Sequence, residues 1–232
     1  MASRELTLSE TAPGLILASA SPRRRAILAV LGLTFEAVDL NVDESALPGE
    51  APESLARRLA VAKASQGAQQ FPGAVVLGAD TVVALRLECL GKPRGPAEAT
   101  EMLRRLRGRP HRVVTAVAAA RAAPGGRSAP TVWGRVAATL VWMRDYTDAE
   151  IECYVASGEP FDKAGAYAIQ DAGFRPVARV AGCFLTVVGL PLSETCQVLA
   201  EAGAPRPRIV AADLDALCPS CPDREVLLTL SS

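Results

Sequence analysis

The sequence predicts an α/β fold, on three observations. Short apolar runs alternate with amphipathic stretches of helical period, glycine, proline and small polar residues separate the two kinds, and several helix starts carry recognisable caps. The first run, LILA at 15–18, is apolar throughout, as a buried strand requires. Ser19, Ala20 and Ser21 make a turn, and Pro22 takes the first helical position with Ser21 as its cap. Residues 24–31 continue as a helix with Ile27, Leu28 and Leu31 on one face, closed by Gly32. Residues 35–40 read as a strand, and 41–49 as a polar loop carrying Asp43 and Glu44. Pro52 opens a second helix, with Leu55, Leu59 and Ala62 along one stripe and Lys63 in its later turns.

Residues 74–77 form a compact buried strand that Gly78, Ala79 and Asp80 are expected to end. The β-prone stretch 81–87 leads into a hairpin, and Gly91-Lys92-Pro93 makes a turn. Residues 96–106 are an amphipathic helix with Met102, Leu103 and Leu106 on the buried side. Strands are predicted at 112–120 and 131–141, around a surface loop at 122–130. Thr147 and Glu150 form a capping box that starts a helix at 148–156. Residues 177–180 and 184–188 read as a strand pair, and 191–202 as the last helix. The chain divides into a lead at 1–14, a domain at 15–203 and an extension at 204–232. The extension is proline-rich and weakly patterned, so it reads as a loose appendage whose removal after Ala204 is expected to leave a soluble protein.

Composition excludes several function classes. The chain has 232 residues, enough for one domain with a lobe or tail, and half of them are apolar. Lys plus Arg balances Asp plus Glu at 25 each, which argues against a general nucleic-acid binder. No apolar run approaches a membrane span, and MASRELTLSETAPG lacks the apolar region of a signal peptide, so the cytoplasm is the expected compartment. Cys89, Cys153, Cys183 and Cys196 are scattered singly and read as inert thiols in a reducing compartment. Cys218 and Cys221 form a CxxC without a second ligand pair, and the only histidine, His111, is far away in sequence, so no structural zinc is expected.

The most telling stretch is LILASASPRRR at 15–25. A strand stops at a small turn, a helix start offers unpaired N–H groups, and Arg23, Arg24 and Arg25 crowd the same place. That is an anion site, and phosphate is the natural anion. Neither GxxxxGKS/T nor GxGxxG is present. Asp80 follows the apolar VVLGA, where a carboxylate suits magnesium binding or activation of water, and Asp43 and Glu44 offer further oxygen ligands. Lys63, Lys92 and Lys163 each sit in unusual local settings. A solvated face explains any one of them, whereas all three with the arginines suit a polyphosphate clamp. Gln170 carries an amide able to read a base edge, and Tyr167 suits either ring stacking or core packing.

These pieces together resemble the Maf, or septum-formation, family. They are LASASPRRR at 17–25, VDES at 42–45, GADTVV at 78–83, GKP at 91–93, GEPFDKAGAYAIQ at 158–170 and VVGLP at 187–191. The DKAGAYxIQ form resembles the subgroup acting on dTTP and UTP. The resemblance implies a mixed twisted sheet split by a central cleft, similar to that of inosine triphosphate pyrophosphatases. It also implies hydrolysis of a nucleoside triphosphate between the α and β phosphates, dependence on a divalent metal (magnesium or manganese), a homodimer and a cytoplasmic setting. By motif, Asp80 is the implied proton acceptor; Arg23, Thr81 and Gln170 select the substrate; Ser19, Glu44, Lys63, Lys92 and Lys163 line the phosphate and metal region, with Glu44 and Asp80 as metal ligands. Three places depart from the family pattern: AYAIQD at 166–171, GCFLTVVGLP at 182–191 and PHRVVTAV at 110–117. Asp171 brings a carboxylate near the expected base pocket, where, turned inward, it would accept from cytosine's amine. A nucleotide-binding regulator of division without turnover is the competing reading. Loss of the carboxylates would favour it, and Glu44 and Asp80 both remain.

Overall fold

The structure is a computed structural model that describes residues 14–125, 128–219 and 221–230; the lead at 1–13 lies outside them. In chain order its elements are β1 (Leu15–Ala18), α1 (Pro22–Ala29), β2 (Glu36–Val38), α2 (Pro52–Gln70), β3 (Val75–Leu85), β4 (Glu88–Leu90), α3 (Pro96–Leu106), β5 (Pro110–Arg121), β6 (Thr131–Met143), α4 (Asp148–Ala156), β7 (Val177–Ala181), α5 (Phe184–Val188), α6 (Leu192–Glu201), α7 (Ala211–Leu217) and α8 (Arg224–Leu230). Two 3₁₀ turns, Glu159–Asp162 and Ala164–Ala166, lie between α4 and β7. The strands form one mixed sheet in the order β2-β1-β3-β5-β6-β7, with β4 hairpinned onto β3. β1 runs parallel to both β2 and β3, and the other pairings are antiparallel.

β1 is buried on both faces, and its alternation separates two cores. Leu15 and Leu17 face a cluster with Ile27, Leu28, Leu185 and Leu199, while Ile16 and Ala18 face a cluster built on α2. A third cluster gathers α3, α4, Tyr146 and Phe174 against Val83, Val113 and Val141.

The α2 cluster is rich in small residues. Ala56, Ala60, Ala64 and Ala68 recur every fourth position and meet Ala116, Ala118 and Ala120 of β5. The expected stripe was partly misplaced, because Ala62 is only half-buried whereas Lys63 is buried. Small side chains let the helix lie close on the sheet. A Cβ on Gly78 would sit 2.4 Å from the Ala60 carbonyl oxygen and 2.7 Å from the Ala64 nitrogen. Gly78 is therefore a helix-contact residue rather than a strand terminator, and α2 brings Lys63 over β3. Gly78→Ala forces backbone apart and is expected to cost about 3 kcal/mol, the upper part of the overpacking range, read as a lower urea midpoint at unchanged slope.

Three expectations need correction. β3 does not end near Asp80 but runs to Leu85, because β5 pairs with it from Val75↔Arg121 as far as Ala84↔Arg112. Asp80 is thus a mid-strand residue. Residues 184–188 are helix α5, not a strand: the backbone swings at Gly182 (φ 124°), Leu185, Thr186 and Val188 turn inward, and Gly189 (φ 119°) closes the helix in the left-handed region. The extension is also no loose appendage. It buries Ile209, Leu214, Cys218 and Leu227 in the same core as Leu28 and Leu199. The Arg208 N–H donates to the Leu31 carbonyl at 2.7 Å, and Arg224 pairs with Asp215 at 2.7 Å. The short apolar spacing that looked patternless suits two seven-residue helices laid on an existing face.

Candidate active site

Register places the anion turn beside Asp80. β1 pairs with β3 up to Ala18↔Gly78, so the Ser19–Ser21 turn leaves β1 where β3 continues into Ala79 and Asp80. Ser21 caps α1 as expected, its Oγ accepting the Arg24 N–H at 3.4 Å. Ser19 Oγ accepts from the Ser21 N–H at 3.2 Å and from Arg24 Nη1 at 3.3 Å. Arg24 also donates through Nε to the Gly189 carbonyl at 2.8 Å and through Nη2 to Thr81 Oγ1 at 3.1 Å. One guanidinium thereby ties α1, β3 and the end of α5 together. Enclosure by protein pulls the Arg24 pKa below its ordinary value, opposed by the negative charge of Asp80. Thr81 Oγ1 lies 2.9 Å from Thr115 Oγ1, which donates to the Thr186 carbonyl at 2.6 Å.

The carboxylates meet at one lysine. Lys63 Nζ donates to Asp80 Oδ1 and to Glu44 Oε1, both at 2.7 Å, and Lys92 Nζ reaches Glu44 Oε2 at 3.1 Å. Lys63 and Asp80 are each only 8 % exposed, so this pair is held in a low-dielectric floor. Burial alone would raise the Glu44 pKa, but the Lys63 hydrogen bond and the Lys63 and Lys92 charges outweigh it and hold the carboxyl below its usual range.

The opposite wall comes from the two 3₁₀ turns. Lys163 Nζ donates to Asp162 Oδ1 at 2.6 Å and to Glu159 Oε2 at 3.1 Å, and Arg23 Nη1 reaches Asp162 Oδ2 at 3.2 Å. The turn at 164–166 packs hard on β3: a Cβ on Gly165 (φ 70°) would meet Val83 Cγ1 at 2.9 Å. Ala166 is held at φ 60°, a conformation that costs a non-glycine residue about 1 kcal/mol or more and is sustained by the surrounding packing. Tyr167 packs in the third core and its hydroxyl sits 2.7 Å from His111 Nε2, which anchors the segment. Burial pushes His111 down to about 4, so it is neutral near pH 7.

All of Ser19, Arg23, Glu44, Lys63, Asp80, Thr81, Lys92, Lys163 and Gln170 line one cleft of about 460 Å³. The structure thus assembles every site residue that the sequence singles out by motif. Asp43 is the exception among the loop carboxylates: its Oδ1 accepts the Ser45 N–H at 2.9 Å, closing a local turn, and it does not line the cleft. Asp171 also turns to its own loop, accepting the Gly173 and Phe174 N–H groups at 3.0 and 2.6 Å. The sequence reading passed over two residues that hold the site together. Arg24 was one arginine among three, and Asp162 stood unremarked in PFDK, though its charge beside Lys163 was a usable signal.

Among the described residues, no group of three or more His, Cys, Asp or Glu side chains is placed to hold a metal unaided. The donors present nonetheless fit a hard divalent cation. Two carboxylates converge on one ammonium, and magnesium takes one or two carboxylates with waters and substrate phosphates.

A mixed sheet whose strand-end turn, buried carboxylate and ring of Lys and Arg share one cleft defines a protein that handles a phosphorylated small molecule. Residues 14–202 match the family described as Maf-like protein, and the chain belongs to that family. It is 50% identical over 210 residues to the dTTP/UTP pyrophosphatase of Thermomicrobium roseum, covering 90% of this chain and 93% of that protein. It is also 50% identical over 193 residues to the dTTP/UTP pyrophosphatase of Myxococcus xanthus, covering 83% and 94%. Among solved structures, a HAM1 protein from Coxiella burnetii aligns at 17% identity and a TM-score of 0.38, over 69% of this chain and 91% of that one. The fold assignment rests on the strand order above rather than on that likeness.

Proposed function

We propose that this protein is a nucleoside triphosphate pyrophosphatase that hydrolyses dTTP and UTP to the monophosphate and pyrophosphate. The observation that carries the reading is the pairing of Asp80 and Glu44 about Lys63 within a cleft rimmed by Arg23, Arg24, Lys92 and Lys163. The relatives named as dTTP/UTP pyrophosphatases, matched over nearly their full length, support it.

In this reading residues 15–203 carry the catalytic unit. Asp80, its Oδ1 fixed by Lys63, takes the proton of the water that attacks the α-phosphorus. Ser19 already accepts two hydrogen bonds through its oxygen, which leaves its own hydrogen for a phosphate oxygen. Lys92, Lys163 and Arg23 exchange their internal carboxylate partners for phosphate oxygens, and Lys63 keeps Asp80 while exchanging Glu44, so that the four cations hold the leaving pyrophosphate. Glu44 and Asp80 would hold a magnesium or manganese ion, which when bound polarises the phosphate oxygens and neutralises developing charge. Arg23, Thr81 and Gln170 select the substrate. The enzyme works as a homodimer in the cytoplasm; among the described residues no helix is long and apolar enough to cross a membrane.

One experiment tests both the bond cleaved and the base chosen. Phosphorus NMR of UTP turnover should show UMP and pyrophosphate, whereas accumulating UDP and phosphate would overturn the reading. The Gln170 amide satisfies both a carbonyl and an N–H of uracil or thymine, and a mismatched edge costs about 1–3 kcal/mol. With Asp171 committed to Gly173 and Phe174, it is not turned inward to accept cytosine's amine. dTTP and UTP are therefore expected to exceed dCTP and CTP in kcat/KM by about tenfold or more. Equal use of CTP would remove Gln170 from selection.

A further inference from the structure

The family match ends at residue 202, and the CxxC lies beyond it, in the segment that turns from α7 into α8. The two cysteines are tied through the backbone: the Cys221 N–H donates to the Cys218 carbonyl at 3.1 Å. Cys218 is buried in the first core, and Cys221, Cys183 and Phe184 at the start of α5 pack against the same core. These three of the six cysteines, all six of them free thiols, thus belong to one core. Their exposures differ in a useful way. Cys218 is 1% exposed, closed off from any external reagent, whereas Cys221 is half-buried and reachable from solvent.

We infer that Cys218 and Cys221 are a redox-active dithiol, in which Cys221 reacts with a small external disulfide such as glutathione disulfide and Cys218 resolves the product. In the first step the Cys221 thiolate, its proton released to water, attacks one sulfur of the external disulfide. The Cys221 S–S bond forms, the external S–S bond breaks, and one small thiolate leaves and is protonated. In the second step Cys218 loses its proton and attacks the Cys221 sulfur, forming the Cys218–Cys221 bond and releasing the second small thiol. The dithiol is oxidised by two electrons and the external disulfide is reduced to two thiols.

Access and geometry set this order of events. The more accessible Cys221 must react first, and the backbone turn holds buried Cys218 beside it to resolve the product. Burial, with the Cys221 and Cys183 charges adding to it, pushes the Cys218 thiol up to about 12. Among the described residues no group of three or more His, Cys, Asp or Glu side chains is placed to hold a metal, these three cysteines included.

The test uses the full-length folded protein, incubated with glutathione disulfide and followed by intact mass and peptide mapping. The parent is expected to lose two hydrogens, with the new bond mapping to Cys218–Cys221, and to recover them with dithiothreitol. Cys218→Ser removes the resolving thiol and should instead hold one glutathione on Cys221. Cys221→Ser should form neither product at this site. Persistent glutathione on parent Cys221, a bond to Cys183 in place of Cys218, one bound zinc per chain protecting the thiols, or no change at either cysteine would each overturn the proposal. The parent result alone decides it if either variant fails to fold.

Discussion

Asp80→Asn is expected to lower kcat for dTTP and UTP by about 100-fold or more, the range seen when a positioned acid–base group is lost. The reasoning begins with geometry. Asp80 is a buried mid-strand carboxylate whose Oδ1 is fixed at 2.7 Å by Lys63, so the substitution changes charge without freeing the side chain. An asparagine oxygen still accepts from Lys63, and Lys63 keeps Glu44 as its ionic partner at 2.7 Å. Unfolding free energy should therefore move by no more than about 1–2 kcal/mol, the scale of one weakened hydrogen bond. Pyrophosphate release measured beside a urea titration separates the two effects. Turnover within about threefold of the parent would take Asp80 out of the chemistry. A loss of turnover matched by a large loss of stability would instead make it a structural residue.

Truncation after Ala204 should lower the thermal midpoint by about 5–10 °C. The extension buries Ile209, Leu214, Cys218 and Leu227 against Leu28, Leu31 and Leu199. Each such side chain contributes about 1.5–3 kcal/mol on leaving water. A net loss of about 2–3 kcal/mol, the scale of one such side chain, is expected, and in a domain of this size each kcal/mol moves the midpoint by about 2–4 °C. The truncated chain also exposes an apolar face beside α5, so a tendency to aggregate on warming should accompany the lower midpoint. An unchanged midpoint, measured by calorimetry at matched concentration, would mean that the two tail helices lie on the core without contributing to it.

Much of the site was legible in the residues because its chemistry is written in short local strings. Ser21 before Pro22 names a helix start, and the structure has that cap. Likewise the Thr147–Glu150 box starts α4 where the pattern puts it. Glu44, Asp80, Lys92 and Lys163 stand in motifs, and they share one cleft with Lys63. Cap chemistry, proline positions and the period of apolar residues act over a few residues, so a single chain states them directly.

What the sequence could not state depended on a distant partner. Gly78-Ala79-Asp80 looks like a strand end, because nothing local reveals that β5 pairs through it or that α2 needs Gly78 bare. FLTVV is β-branched and aromatic by propensity, yet it is a helix because Leu185 and Val188 pack inward against the core and Gly189 closes it. Arg24 resembles its neighbours in the string, and only the fold turns it toward Ser19, Thr81 and Gly189. The sequence by itself determined the groups proposed for the chemistry and the local turns that present them. The tertiary structure alone decided which strand runs on, which arginine turns inward and whether the tail docks, since those outcomes are set by burial and register between segments far apart in the chain.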